Sequence, residues 1–183
     1  MRIVFMGTPD FAVPSLDILL ENNYTPIFVV TAPDRPKGRG LKVQGSPVKH
    51  YALDHSLPIL QPENLRDPSF VSKIRAAHPD LLVVVAFRIL PPEVYTAASL
   101  GAFNLHASLL PKYRGAAPIN WALVHGEKET GVTTFFLQET VDTGSIILQA
   151  RVAIGSDETA GELHDRLAEI GAEIVLQTVR IIE

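Results

Sequence analysis

The segment "DLLVVVAF", Asp80 to Phe87, is apolar at successive positions, with no alternation. A strand of that kind must be covered on both faces, which happens in the middle of a parallel sheet flanked by helices. The chain around it follows the same plan. "RIVFM" (Arg2 to Met6) is a β-rich run ended by Gly7, and "DFAVPSLDILLENN" reads as a helix with Asp10 as N-cap and Pro14 in the first turn. "TPIFVVTA" is a second strand. "SPVKHYALDHS" is a helix capped by Ser46 with Pro47 at its first position, and "PILQ" is a brief strand. "DPSFVSKIRAAH" is a helix capped by Asp67, and "GAFNLHA" follows the central run as the next strand.

After the helix "PINWALVHG" the pattern changes. "TGVTTFFLQET" and "SIILQARVAI" are β-rich runs joined through "VDTG", which predicts an antiparallel addition to the sheet. "SDETAGELHDRLAEIGAEIVLQTVRII" closes the chain as an amphipathic helix, with Leu163, Leu167, Ile170, Ile174 and Ile181 at helical spacing. The expected fold is therefore α/β: a Rossmann-like, mostly parallel twisted sheet with helices on both faces and an antiparallel addition near the C-terminus. Ligands of such sheets bind at the carboxyl ends of the strands, at a switch point. The strand ends at Gly7, near Phe87 and at His106 are expected close together.

Composition excludes several chemistries. The chain has no cysteine, which removes disulfides, thiolate nucleophiles and cysteine-bound zinc. Its net charge of -4 argues against coating nucleic acid as a whole but allows a local basic patch. The apolar run Leu81 to Phe87 is far short of the roughly 20 residues that span a bilayer. A soluble, cytoplasmic protein of one domain is expected.

One connection stands apart. Thr31 to Lys49 carries Arg35, Lys37, Arg39, Lys42 and Lys49 against a single acid, Asp34. It reads either as a solvated connection or as a basic arm that contacts phosphates.

Asn104 and His106 lie two residues apart, so both side chains face one side of their strand. An amide donor beside an imidazole suits a site where an oxyanion develops and a proton moves. A satisfied core pair is the alternative. Asp142 reads as a turn residue, or as the carboxylate that orients His106. "GTPDF" is no G-x-G-x-x-G fingerprint, and no serine sits in a G-x-S-x-G elbow. His50, His55, His125 and His164 fall on helices and His78 at a helix end, so no metal site is expected.

"FNLHASLLPKYRGAAPINWAL", followed by "TGVT" and "VDTG", resembles the folate-dependent formyltransferase family. The resemblance extends from Met1 to the final helix. It implies that residues 1–183 form the formyltransferase catalytic domain, the family's carboxy-terminal tRNA-binding barrel being absent from this chain. It implies 10-formyltetrahydrofolate as co-substrate, no metal, and Asn104, His106 and Asp142 as the catalytic group. The start "MRIVFMGTPDFAVPSL" and the insert "APDRPKGRG" resemble the branch that formylates methionine on initiator tRNA. That likeness implies an RNA partner, held weakly by this domain alone. It puts Arg35, Lys37, Arg39 and Lys42 at the acceptor arm and Phe11 near the methionine pocket. Folate contacts are implied at Phe87, Arg88 and Leu90, and at Ser108, Leu109, Leu110 and Pro111. Many members have a glycine step where "AFRILP" has Arg88. Formylation of a nucleotide sugar or of glycinamide ribonucleotide shares the same catalytic group and is the alternative substrate class. A folate- or nucleotide-binding module without turnover is a further alternative. A monomer is expected.

Overall fold

The structure is a computed structural model that describes residues 1–37 and 42–183. Seven strands form one sheet in the order β5-β2-β1-β6-β7-β8-β9. These are β1 (Ile3–Gly7), β2 (Phe28–Val30), β5 (Ile59–Leu60), β6 (Leu81–Val85), β7 (Ala102–His106), β8 (Glu129–Phe136) and β9 (Ile146–Ala153). The first five of these are mutually parallel, and β8 runs antiparallel to both its neighbours, β7 and β9. The expected mixed sheet is thus observed.

The apolar run does what its composition requires. Successive side chains of a strand point to opposite faces, and each face here meets its own layer. Phe5, Val83, Val85, Phe103 and Leu105 pack under α1 (Val13–Glu21) and α6 (Ala160–Ile182). Met6, Leu82 and Val84 pack under α3 (Pro68–Ala76) and α4 (Pro92–Tyr95), chiefly through Phe70, Ile74 and Val94. The fold positions α6 closely. A Cβ at Gly171 would lie 2.7 Å from Leu105 of β7, so the missing side chain lets the helix settle on the sheet.

Several element boundaries differ from expectation. Asp10 does not cap α1. Its carboxylate bonds the neighbouring Phe11 N–H, inside a 3-10 turn at Asp10–Ala12, and α1 begins only at Val13. The last helix begins at Ala160 rather than Ser156, because Thr159 and Glu162 form a capping box there. Ile181 at its far end is exposed, not core. The caps at Ser46 and Asp67 are as expected; Ser46 opens α2 (Pro47–Asp54) and Asp67 opens α3. Among the described residues no helix is long and apolar enough to cross a membrane.

The basic connection contains a hairpin, β3 (Arg35–Lys37) with β4 (Lys42–Gln44). Its base is tied down. Asp34 forms an ion pair with Lys49 and accepts from Gln61 Nε2 at 2.7 Å, while Gln61 also donates to the Ala32 carbonyl at 2.8 Å. The Thr31 and Ser46 hydroxyls are 2.6 Å apart. Lys49, and then Gln61, hold the Asp34 carboxyl below its ordinary 3.8. A lowered folded value means that the pair stabilises the protein above 3.8 and loses that contribution as pH falls through the folded value. Asp34→Asn should therefore lower the melting temperature most at neutral pH. The gap to the parent should narrow as pH falls below 3.8. A gap that is constant across that range would show that the pair contributes nothing.

Candidate active site

The ends of β1, β6 and β7 meet. Gly7 pairs with Val85, and Val85 pairs with Leu105. The sheet grows in both directions from the β1–β6 pair, which makes this edge a switch point. A cavity of about 860 Å³ opens there, with Asn104, His106, Asp142, Phe11 and Phe87 in its lining. The size suits a bound small molecule.

His106 is buried, 7% exposed. Its Nε2 lies 2.8 Å from the Tyr113 carbonyl. A carbonyl only accepts, so Nε2 carries a proton and donates it there. Nδ1 is left as the open nitrogen, and it lies 3.9 Å from Asp142 Oδ2. The same Asp142 oxygen accepts from the Gly115 N–H at 2.8 Å, and the Asp142 carbonyl accepts from Arg114 Nε at 2.9 Å. One short segment thus latches both residues. Tyr113 and Gly115 have φ of 55° and 84°, left-handed values that let one carbonyl and one N–H two residues apart reach opposite targets.

The loop that carries Asp142 is itself constrained. Asp142 has φ 53°, a conformation Asp tolerates better than most residues. Gly144 lies so close to the end of β8 that a Cβ would fall 1.6 Å from the Phe136 carbonyl. Ala86 and Ala117, also in the lining, have φ of 47° and 54°. Left-handed backbone at a residue with a Cβ costs about 1–2 kcal/mol. Such residues gather where the surrounding structure overrides local preference, as at functional sites.

The other expected site residues divide. Phe11 is buried and meets His164 edge-on, with ring centroids 5.3 Å apart. Arg88 and Leu90 line a recess of about 100 Å³ behind Phe87, which Asn104 and Asp142 also border. The Arg88 guanidinium donates to the carbonyls of Pro62 and Glu63 at 2.7 and 3.0 Å, and its Nε is buried with no partner among the described residues. Burial, and then Arg35, hold its pKa below the ordinary value. Ser108 is fully buried in the turn, where its hydroxyl donates to the Lys112 carbonyl at 2.6 Å. Leu109, Leu110 and Pro111 line a separate cavity of about 250 Å³ instead of the one at Asn104. Arg35 is exposed on β3. Arg39, and the side chains of Lys37 and Lys42, lie outside the described residues.

His164 went unassigned by sequence reasoning. It stands in the cavity lining, with Nδ1 2.9 Å from Asp165 and Nε2 3.7 Å from Asp10. No motif marks it. Its only signal is its place in the first turns of a helix that starts at the carboxyl edge of the sheet.

A doubly wound sheet with an amide, an imidazole and a carboxylate in one cavity lining at its switch point defines an α/β enzyme-type site. The chain belongs to the formyl transferase family, whose pattern matches residues 1–179. It is 54% identical over 183 residues to the methionyl-tRNA formyltransferase of Flavobacterium johnsoniae, a match covering 100% of this chain and 58% of that protein. The chain therefore spans little more than half the length of this curated relative. Among solved structures, phosphoribosylglycinamide formyltransferase from Streptococcus pneumoniae superposes with a TM-score of 0.82 at 21% identity, covering 99% of this chain and 98% of that one. An N-formyltransferase from Helicobacter canadensis, solved with folinic acid and dTDP-3-aminofucose, gives 0.70 at 24% identity, covering 100% of this chain and 64% of that one.

Proposed function

We propose that this chain is the catalytic domain of an enzyme that transfers the formyl group of 10-formyltetrahydrofolate to the α-amino group of methionine on initiator tRNA. The observation that carries the reading is the latched pair of His106 and Asp142, with Asn104 beside it in the lining of the switch-point cavity. The identity above 50% to a methionyl-tRNA formyltransferase over the whole chain favours this acceptor. The phosphoribosylglycinamide enzyme shares only the fold at 21% identity.

The neutral amine attacks the formyl carbon, and negative charge develops on the formyl oxygen. The Asn104 amide, a donor that cannot ionise, stabilises that charge; one well-placed donor is worth about 2.7–4 kcal/mol. His106 takes part through Nδ1, because Nε2 is committed to the Tyr113 carbonyl. Asp142 lies 3.9 Å from Nδ1 and favours the imidazolium that forms when Nδ1 accepts the amine proton. The proton then passes to the leaving folate nitrogen. Phe87, Arg88 and Leu90 wall the recess beside Asn104 and are suited to the flat, partly apolar donor. Phe11 faces the acceptor side. Arg35, Lys37, Arg39 and Lys42 meet acceptor-arm phosphates from a hairpin with a fixed base. We take the enzyme to act as a monomer, and a tRNA acceptor implies the cytoplasm.

The test is a formyl-transfer assay offering charged initiator tRNA, glycinamide ribonucleotide and a nucleotide-sugar amine side by side. The tRNA is expected to be preferred, with affinity falling as salt rises by on the order of one log unit per log unit for each phosphate met. Preference for either small amine overturns the assignment of the acceptor.

A further inference from the structure

Three aromatic rings stack just outside the cavity. His125 lies between Tyr113 and Trp121, 5.6 Å from each by ring centroid, at interplanar angles of 21° and 22°. These are offset-stacked geometries. The outermost ring, Trp121, is 50% exposed, and Val124 on the same helix, α5 (Pro118–Val124), is 73% exposed. A surface helix ordinarily turns polar side chains to water. This one leaves an indole half exposed.

The position and charge of the stack narrow what it meets. The first turn of α5 lines the cavity mouth through Pro118, Ile119 and Asn120, so the platform continues directly into the site. Arg114, on the rim, is exposed and uses only its Nε among the described residues. The nearby acid Glu127 is occupied by Lys112 and the Tyr113 hydroxyl, at 3.0 and 2.7 Å. A column of rings with a half-exposed indole at one end, and the exposed Arg114 next in sequence to Tyr113 at the other, matches an unpaired nucleic-acid strand, which offers flat bases and phosphates. A docking protein helix prefers aliphatic ridges at i, i+3 and i+4, and α5 exposes only Val124 of that kind.

We infer that the Tyr113–His125–Trp121 stack receives the unpaired 3′-terminal bases of an RNA acceptor whose end enters the cavity. The inference rests on the RNA acceptor proposed above. The innermost ring belongs to the residue whose carbonyl fixes His106 Nε2, so the stack also makes Tyr113 a positioning residue for the imidazole.

Trp121 is the only tryptophan of the chain, so its emission reports on the platform alone. An unstructured oligoribonucleotide titrated into the 183-residue chain is expected to quench that emission saturably, less so as salt rises. A duplex of the same sequence should quench little. In formyl-transfer kinetics, Trp121→Ala should raise the KM for methionyl-tRNA by about 5- to 150-fold, the equivalent of one stacked base. The KM for the formyl donor should stay at the parent value, and Trp121→Tyr should recover most of the loss. Emission unmoved by the oligoribonucleotide, or a parent-like acceptor KM in Trp121→Ala, overturns the inference. So does blue-shifted, concentration-dependent emission without RNA, which marks a protein partner. A parent chain that shows quenching but does not formylate methionyl-tRNA overturns the proposed acceptor and leaves the stacking platform standing.

Discussion

Asn104→Ala is expected to lower turnover by about 10²–10³-fold, the loss that follows removal of one donor to a developing oxyanion. The effect should fall on kcat, because the interaction strengthens only as charge develops. Asn104 is half-buried in the middle of β7, and truncating it leaves no described hydrogen bond broken, so the melting temperature should stay near that of the parent. His106→Ala should cost at least as much activity, and it also orphans the Tyr113 carbonyl. That lost partner adds a stability penalty of about 1–3 kcal/mol. Parent-like turnover in Asn104→Ala with the fold intact would remove the amide from the mechanism.

Leu163→Ala should produce the largest loss of stability. Leu163 is fully buried where α6 packs on the sheet, and truncation of such a leucine costs about 2–5 kcal/mol. In a domain of this size that lowers the melting temperature by on the order of 4–20 °C. Glu173→Ala, exposed on the same helix, is the control and should change stability by less than about 0.5 kcal/mol. The consequence reaches the site, because Gly161 and His164, either side of Leu163, are part of the cavity wall. A denaturation midpoint unchanged in Leu163→Ala would mean that α6 contributes little to the packed core.

The parts of this architecture that were legible in the sequence are those encoded in side-chain periodicity. The unbroken run at Leu81–Val85 announced a strand with two covered faces, and both layers are present. The two-residue spacing of Asn104 and His106 put both on one side of a strand end. The latch that fixes His106 was not legible, because it is made of the Tyr113 carbonyl and the Gly115 N–H, groups every residue possesses. Only their left-handed conformations make them special, and Tyr113 gives no sign of adopting one. Asp142 was open between turn residue and catalytic carboxylate, since nothing local says where a loop closes. The β3–β4 hairpin was hidden by Pro36 and by a residue content dominated by charge and glycine, although proline is tolerated on a strand with a free edge. His164 was passed over because it enters the cavity from a helix more than fifty positions beyond His106.

The sheet first reverses direction between β7 and β8, and does so again between β8 and β9. A parallel strand in the place of β8 would have finished at the carboxyl edge only after a crossover, and the loop behind it would have started a new helix. The antiparallel β8 instead starts on the carboxyl side, where Thr133 pairs with His106, and ends at Phe136 opposite Phe103, so the loop after it turns back along the sheet to bring Asp142 beside His106. Folding that proceeds from the amino terminus can therefore complete all five parallel strands while the cavity still lacks a wall. The Asp142 carboxylate arrives only when the hairpin of β8 and β9 docks. Assembly of the scaffold and assembly of the chemistry are separate events in this chain, and the second depends on the first.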